Sequence, residues 1–415
     1  MSPAPSNAEA LNIAVVGAGP AGLFAAEHLA HRGHRVTVFE RMPSPARKLL
    51  MAGRGGLNLT HSEDVQEFLT RYHDPDGVIR RAVSRFAPCD LVAWANGLGV
   101  ETFVGSSGRV FPKAMKASPL VRAWLRRLAG LGVALRTGWT WRGFGTAPTT
   151  LIFDTRKGPH AVKADAVLLA LGGASWPRLG CDGAWTSVLG AAGAGIAALQ
   201  PSNCGVHIPW SAHMAAQMDR LAGAPLKRIA AACNGERRRG EAIITRSGLE
   251  GGVIYALSHT IRRALQNGPA RLSLDLKPDM PTGELEKRLA GAKRKDSASN
   301  VLRKQAGLAA AAMALVREPG PMPHAAADRA ARIKAVELTV TSLTGLERAI
   351  STAGGVSLAS CDSHLMLKAL PGVFVAGEML DFDAPTGGYL LQAAFASGRI
   401  AAEGIDRWLE RRGPA

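Results

Sequence analysis

Residues Leu11 to Arg41 read "LNIAVVGAGPAGLFAAEHLAHRGHRVTVFER", and they decide the fold. Ile13 to Val16 are β-branched or small, the composition of a parallel strand buried on both faces. Gly17, Gly19 and Gly22 follow in G-x-G-x-x-G spacing, with Pro20 and Ala21 between them, and open a helix running to about Arg32. Val36 to Phe39 form a second strand, which ends at Glu40 and Arg41. Glycine at these places permits a tight turn, close approach of a pyrophosphate and helix–strand packing, while the helix N-terminus offers partial positive charge. Glu40 stands where a carboxylate accepts hydrogen bonds from a ribose. Strand, turn, helix, second strand and terminal acid together predict a dinucleotide-binding βαβ unit. The acid excludes a 2′-phosphate and leaves FAD or NAD.

Moving outward, Lys48 to Ser62 read "KLLMAGRGGLNLTHS". Glycine loses the most backbone freedom on ordering, so a loop this rich in it has a use. It falls where the chain crosses from the adenosine end of a dinucleotide toward its reactive ring. Lys48, Arg54 and Asn58 are its expected polar contacts, with Gly56 and Leu59 lining the approach. Residues 63–95 have helical periodicity. "GRVFP" (108–112) is a turn and a short extended piece, and 120–131 is an amphipathic helix. Strands are expected around 133–136, 139–141 (with Trp141 near the cofactor) and 151–153. "ADAVLLALGG" (164–173) is a buried strand running into Gly172 and Gly173. From about Pro201 the texture turns mixed, with strands near 230–233 and 241–245. Residues 258–335 read as helical and basic.

Near the C-terminus, "LPGVFVAGEMLDFDAPTGGYLLQAAFASGRIAAEGI" (370–405) gives a short buried strand ending at Gly377 and Glu378. A loop with Asp381 and Asp383 follows, then Gly387 and Gly388, then a helix from about Tyr389 and Leu390. A glycine pair lets backbone lie flat against a planar ring, and a helix N-terminus stabilises negative charge on a reduced flavin. These features choose FAD over NAD.

Six pieces, in order along nearly the whole chain, carry a family resemblance: "GAGPAGLFAA", "RKLLMAGRGGLNLTHS", "GRVFP", "LALGGASWPRLGCDG", "GEAIITRSGLEGGVIYALS" and "AGGVSLASCDSHLMLKALPGVFVAGEMLDFDAPTGGYLLQAAFASG". The chain resembles the BaiN/RdsA (YhiN-like) family of FAD-dependent flavoproteins, as a divergent subgroup. The resemblance implies an α/β fold: a Rossmann-like FAD-binding domain of the glutathione-reductase type (1–200 and 350–415), interrupted by a small β-barrel-like domain (201–257 and 335–349) and a helical, basic domain (258–334). It implies noncovalent FAD and reduction of conjugated carbon–carbon double bonds, in one branch making dihydrouridine in large-subunit ribosomal RNA and in another acting on steroid-like enones. Where the family loop usually has cysteine, this chain has Leu57, so no thiol role carries over. The family's threonine–glycine step before "D-G" is here Gly180-Cys181-Asp182-Gly183.

Such a reduction needs a proton donor besides the hydride. Cys204, Cys233, His207 and Tyr255 are the candidates. No second G-x-G-x-x-G unit is visible, so NAD(P)H is expected as a transient reductant. Lysine and arginine number 50 against 33 acids, a net charge of +17, which points to a polyanion such as RNA. Lys287, Arg288, Lys293, Arg294, Lys295, Arg303 and Lys304 cluster in the helical part, and Arg237, Arg238 and Arg239 add to them. The alternatives are a reductase or oxidase of a small-molecule enone or amine, and a non-catalytic flavin-binding, RNA-associated protein. Five scattered cysteines without metal spacing fit a reduced, cytoplasmic setting with no metal site, and no stretch is apolar enough for a transmembrane span.

Overall fold

The computed structural model describes residues 10–53, 55–293 and 295–412, so the expectations placed on Arg54 and Arg294 lie outside the described residues. β1 (Asn12–Val16), α1 (Pro20–His31) and β2 (Arg35–Glu40) make the βαβ unit, with Ile13 opposite Val36 and Val16 opposite Phe39 in parallel register. α2 (Arg47–Ala52) and β3 (Thr60–His61) follow. The helical stretch is three pieces, α3 (Val65–Thr70), α4 (Val78–Arg85) and α5 (Pro88–Gly97). Pro75 and Gly77 separate the first two, and Pro88 opens the third at a position where its missing N–H costs nothing.

β4 (Thr102–Val104) and β5 (Arg109–Pro112) form a hairpin that adds to β3 in the order β3-β5-β4. α6 (Ala117–Gly130) buries Leu120, Val121, Trp124 and Leu128, a stripe at helical spacing. β6 (Ala134–Thr137) is followed by a three-stranded antiparallel meander of β7 (Thr140–Phe144), β8 (Thr150–Thr155) and β9 (Gly158–Lys163). Then come β10 (Ala166–Leu169) and β11 (Ile196–Ser202).

The chain divides into two compact units, Met1–Gln200 with Ser351–Ala415, and Pro201–Ile350. In the second, β12 (Val206–His207), β13 (Pro225–Cys233), β14 (Glu236–Thr245), β15 (Gly248–Glu250), β16 (Ala270–Asp275), β17 (Val336–Val340) and β18 (Ser342–Leu343) form one antiparallel sheet in the order β17-β16-β13-β14-β15-β12-β18. The two ends of that order are joined through Thr341 alone, which makes the sheet barrel-like.

The stretch 258–334, expected as a helical domain of its own, is not separate from the sheet. β16 lies inside that range and pairs with both β13 and β17. Ala270, Leu272 and Leu274 alternate inward, the period of a strand. The helices at 282–290, 298–304, 310–315 and 326–334 bury Leu285, Val301, Leu315 and Ile333 in the same apolar cluster as Ile229, Leu272 and Leu274. One core serves helices and sheet.

The chain returns through β19 (Ser351–Val356) and β20 (Val373–Val375) to α7 (Tyr389–Arg412). β20-β10-β1-β2-β6 is the completed parallel sheet of the first unit. α7 crosses α1 so closely that a Cβ on Gly398 would lie 2.4 Å from the Ala21 carbonyl oxygen. Phe24, Trp94, Trp124 and Phe395 pack into one aromatic core beside that crossing, mostly edge to face, with Trp124 and Phe395 stacked.

Candidate cofactor site

The three glycines of the first turn do different work. Gly17 has φ +106°, and a Cβ there would fall 2.2 Å from the Ala170 carbonyl oxygen at the end of β10. A Cβ on Gly22 would meet the Gly17 carbonyl oxygen at 2.1 Å, so this glycine is needed for helix–strand packing. Gly19, the residue preceding α1, has nothing within 4 Å of its Cβ position and leaves the helix N-terminus open to a pyrophosphate. The Glu40 carboxylate accepts from the amides of Ala18 (3.0 Å) and Met42 (2.8 Å), which fixes it beneath the turn. Burial pushes its pKa above the usual carboxylate value, the two amides opposing. Arg41 pairs with Asp182 at 2.6 Å.

The second part of the site is a polar cluster. Lys48 Nζ donates to Glu378 Oε2 (2.6 Å) and to Ser175 Oγ (2.8 Å). Glu378 also accepts from the amides of Thr352 (3.1 Å) and Gly173 (3.4 Å). Thr352 Oγ1 in turn accepts from the amides of Ala174 and Ser175. Burial alone would lower the Lys48 pKa, but the Glu378 carboxylate overrides it and holds the ammonium above its ordinary value. Cys181 Sγ and Glu378 Oε2 both face Gly172, at 2.8 and 4.0 Å from its Cβ position. Burial pushes the Cys181 thiol up to about 11, Lys48 opposing. The sequence points to Lys48, Gly172, Gly173 and Glu378 at the cofactor. Ser175, Cys181 and Thr352 carry no such local signal, because their partners lie far off in sequence.

Asn58 Oδ1 is buried with no hydrogen-bond partner among the described residues. A buried acceptor in that state costs free energy unless a ligand donates to it. Its neighbours Leu57 and Leu59 are 2% and 0% exposed and belong to the core, so Leu59 supports the loop from beneath.

Other expected contacts are used by the protein itself. A Cβ on Gly388 (φ +97°) would lie 2.5 Å from Thr60 Cα, so this glycine lets the start of α7 pass against β3. Gly387 has φ +133° and adjoins the Tyr389 ring. The Tyr389 hydroxyl donates to Glu63 (2.5 Å), which Arg71 also holds (2.7 Å). Asp383 exchanges backbone hydrogen bonds with His73, and Leu390 packs on the core. Gly377, at φ +82°, donates its amide to Ser397 Oγ. Trp141 sits in β7 against Phe144, its indole nitrogen buried without a partner among the described residues.

The four proton-donor candidates lie in the second unit and do not form one cluster. Cys204 is 1% exposed with its sulfur 3.5 Å from Ser258 Oγ. Tyr255 ends the helix Gly252–Tyr255, and burial, Glu250 and Cys204 together raise its pKa against the Gly251 amide and Arg348. Cys233 ends β13, its thiol raised by burial and by Glu236. His207 is a ladder residue of β12 whose carbonyl accepts from the Thr341 amide. Lys287, Arg288, Lys293, Lys295, Arg303 and Lys304 are exposed. Arg237, Arg238 and Arg239 each pair with a carboxylate, of Asp275, Glu236 and Asp279. Among the described residues no cluster of histidine, cysteine and acid is placed to hold a metal, and no helix is long and apolar enough to cross a membrane.

Against known proteins, residues 11–404 match the HI0933-like protein Rossmann domain family. The chain is 24% identical over 407 residues to the 3-dehydro-bile acid delta(4,6)-reductase of Clostridium scindens, covering 94% of this chain and 97% of that one. It is 23% identical over 417 residues to the ribosomal RNA dihydrouridine synthase of Escherichia coli, covering 96% and 98%. Mycobacterium smegmatis Sdh1 in complex with UQ1 shares the fold, with TM-score 0.50 and 16% identity over 97% of this chain and 69% of that one.

Proposed function

The chain belongs to the HI0933-like Rossmann-domain family and is an FAD-dependent oxidoreductase; on that premise we propose that it saturates a carbon–carbon double bond conjugated to a carbonyl. The observation carrying this reading is end-to-end similarity to two proteins whose names both describe such a saturation, a delta(4,6)-reductase and a dihydrouridine synthase. Uridine C5=C6 is conjugated to the C4 carbonyl, so the two reactions are one chemistry on different scaffolds.

The residues present fit FAD. Gly19 and the α1 N-terminus are open to a pyrophosphate, Glu40 is fixed beneath the turn for a ribose, and Asn58 Oδ1 is an acceptor awaiting a donor. When bound and reduced, FAD would supply the hydride to one carbon of the double bond, the other carbon taking a proton. Lys48 holds a proton at Nζ and positive charge inside the cradle, and Glu378 and Ser175 fix its direction. The amides of Gly173 and Thr352 hold that carboxylate in turn, and Thr352 Oγ1 accepts from the amides of Ala174 and Ser175. NAD(P)H is the reductant we propose.

The substrate we favour is uridine within RNA, supported by the exposed Lys287, Lys293, Lys295, Arg303 and Lys304. A small-molecule enone is the second reading, favoured because Arg237 to Arg239 are each committed to a carboxylate. Mass mapping of dihydrouridine in ribosomal RNA from a deletion strain and its parent decides. Loss of a dihydrouridine in the deletion supports RNA. An unchanged map, with turnover of a 4-ene-3-ketosteroid by the purified holoenzyme, supports the enone.

A further inference from the structure

The β4–β5 hairpin exposes apolar and aromatic surface on the first unit. Phe103 is 39% exposed, as is Met115 just beyond β5, while Val104 (56%) lies on the hairpin's other face with Val110. Phe103 and Phe111 are directly opposite one another in the ladder, their rings 5.8 Å apart. Exposed apolar patches of this kind mark binding surfaces.

Three observations tie this patch to the cofactor site. Met115 Cε and the Phe111 ring lie 2.8 and 3.7 Å from the Cβ position of Gly56, so the hairpin roofs the glycine-rich loop that holds Asn58. β5 also pairs with β3, where Thr60 meets Gly388 at the start of α7, so the hairpin is continuous with the C-terminal glycine pair. Met115 itself has φ +55°, a left-handed conformation that costs a residue with a Cβ, and it aims the thioether over Gly56.

The charges beside the patch select its occupant. From Glu101 to Lys116 there are three cations, Arg109, Lys113 and Lys116, against the single acid Glu101, which pairs with Lys113. No carboxylate among the described residues pairs with Arg109 or Lys116, both exposed. Aromatic faces flanked by uncommitted cations are the chemistry of single-stranded RNA binding, bases stacking on rings and phosphates meeting cations. A neutral steroid would use the rings and ignore the cations.

We propose that the β4–β5 hairpin, through Phe103 and Phe111 with Arg109 and Lys116, is the platform on which a nucleotide of single-stranded RNA stacks beside the cofactor site. The inference rests on the RNA reading of the function and gives it a place on the first unit.

The test uses FAD-loaded protein and a fluorescein-labelled single-stranded oligouridylate followed by anisotropy. Phe103→Ala is expected to weaken binding ~5- to 100-fold, the range of one lost base stack. Phe103→Trp is expected to retain binding and to show indole quenching on addition of RNA. Flavin content and melting temperature establish that each variant is folded, and should Phe103→Ala fail there, the tryptophan variant carries the test. Binding that is unchanged in Phe103→Ala, or an indole that stays unquenched in Phe103→Trp, would overturn the platform and leave the RNA reading standing. No binding by the unaltered holoenzyme would overturn both. Enone turnover that depends on Phe103 in a protein with no RNA affinity would replace the RNA occupant by a small molecule.

Discussion

Lys48 and Glu378 are each partly exposed, at 24% and 21% of the side chain, yet each is the other's main partner. Replacing Glu378 by Gln leaves the ammonium in the cradle without its counter-charge. We expect a loss of roughly 2–3 kcal/mol, below that of a fully buried pair because water still reaches both groups. Urea unfolding of the apo-protein measures it. Asn58 predicts the opposite sign: Asn58→Ala removes an acceptor that has no donor, so the apo-protein should keep or gain melting temperature. FAD affinity should fall about tenfold, the worth of one hydrogen bond to a ligand. Calorimetric titration with FAD checks this, and an unchanged affinity would place the orphan acceptor outside the cofactor site. Lys48, Asn58 and Glu378 are legible singly, because each stands in or beside a glycine-bearing stretch of recognisable chemistry, Lys48 in α2 just before Gly53 and Glu378 directly after Gly377. The pairing of Lys48 with Glu378 is not, since nothing local encodes a contact across 330 residues. The place of Tyr389 at a helix start suggests a cofactor contact, but its ring and hydroxyl serve the Glu63–Arg71 pair.

At the scale of elements, the βαβ unit separates two kinds of glycine. Gly17→Ala would drive a Cβ into the Ala170 carbonyl at a left-handed backbone and should prevent folding or cost several kcal/mol. Gly19→Ala meets no protein atom within 4 Å, so the apo-fold should stay near its original melting temperature while FAD retention falls. Thermal melts with and without FAD distinguish the two. The pairing of α1 with α7 carries a pH prediction. Burial favours the neutral form of Asp406, but hydrogen bonds from His28 and His34 outweigh it and hold the carboxyl below its ordinary value of 3.8. A lowered native pKa means stability that is full above 3.8 and lost as pH falls through the native value. Melting temperature should therefore drop below about pH 4 in the parent, and less steeply in Asp406→Asn. The βαβ unit is legible because period, turn and cap all agree. β16 is not, since six residues of strand among helical neighbours carry too short a pattern to stand out.

For the whole molecule, the sequence shows an interrupted dinucleotide-binding fold, because glycine signatures of the parallel sheet stand on both sides of the inserted unit, after β1 and β10 before it and after β20 beyond it. The inserted unit is less legible. Its helices and its sheet share one core, a fact of packing that periodicity alone does not convey. The net charge of +17 is visible at once, but its meaning depends on which cations are already paired, and Arg237 to Arg239 are. The central claim is that bound FAD and this chain together saturate a conjugated double bond. The most direct test is anaerobic: reduce the FAD-loaded protein with one equivalent of NADPH, then add uridine-containing RNA or a 4-ene-3-ketosteroid while following the flavin's visible absorbance. Bleaching by the nicotinamide is expected, then recovery of the oxidised band on adding one of the two, with one saturated product per flavin. A reduced flavin that neither substrate reoxidises, or a protein that retains no FAD, would contradict it.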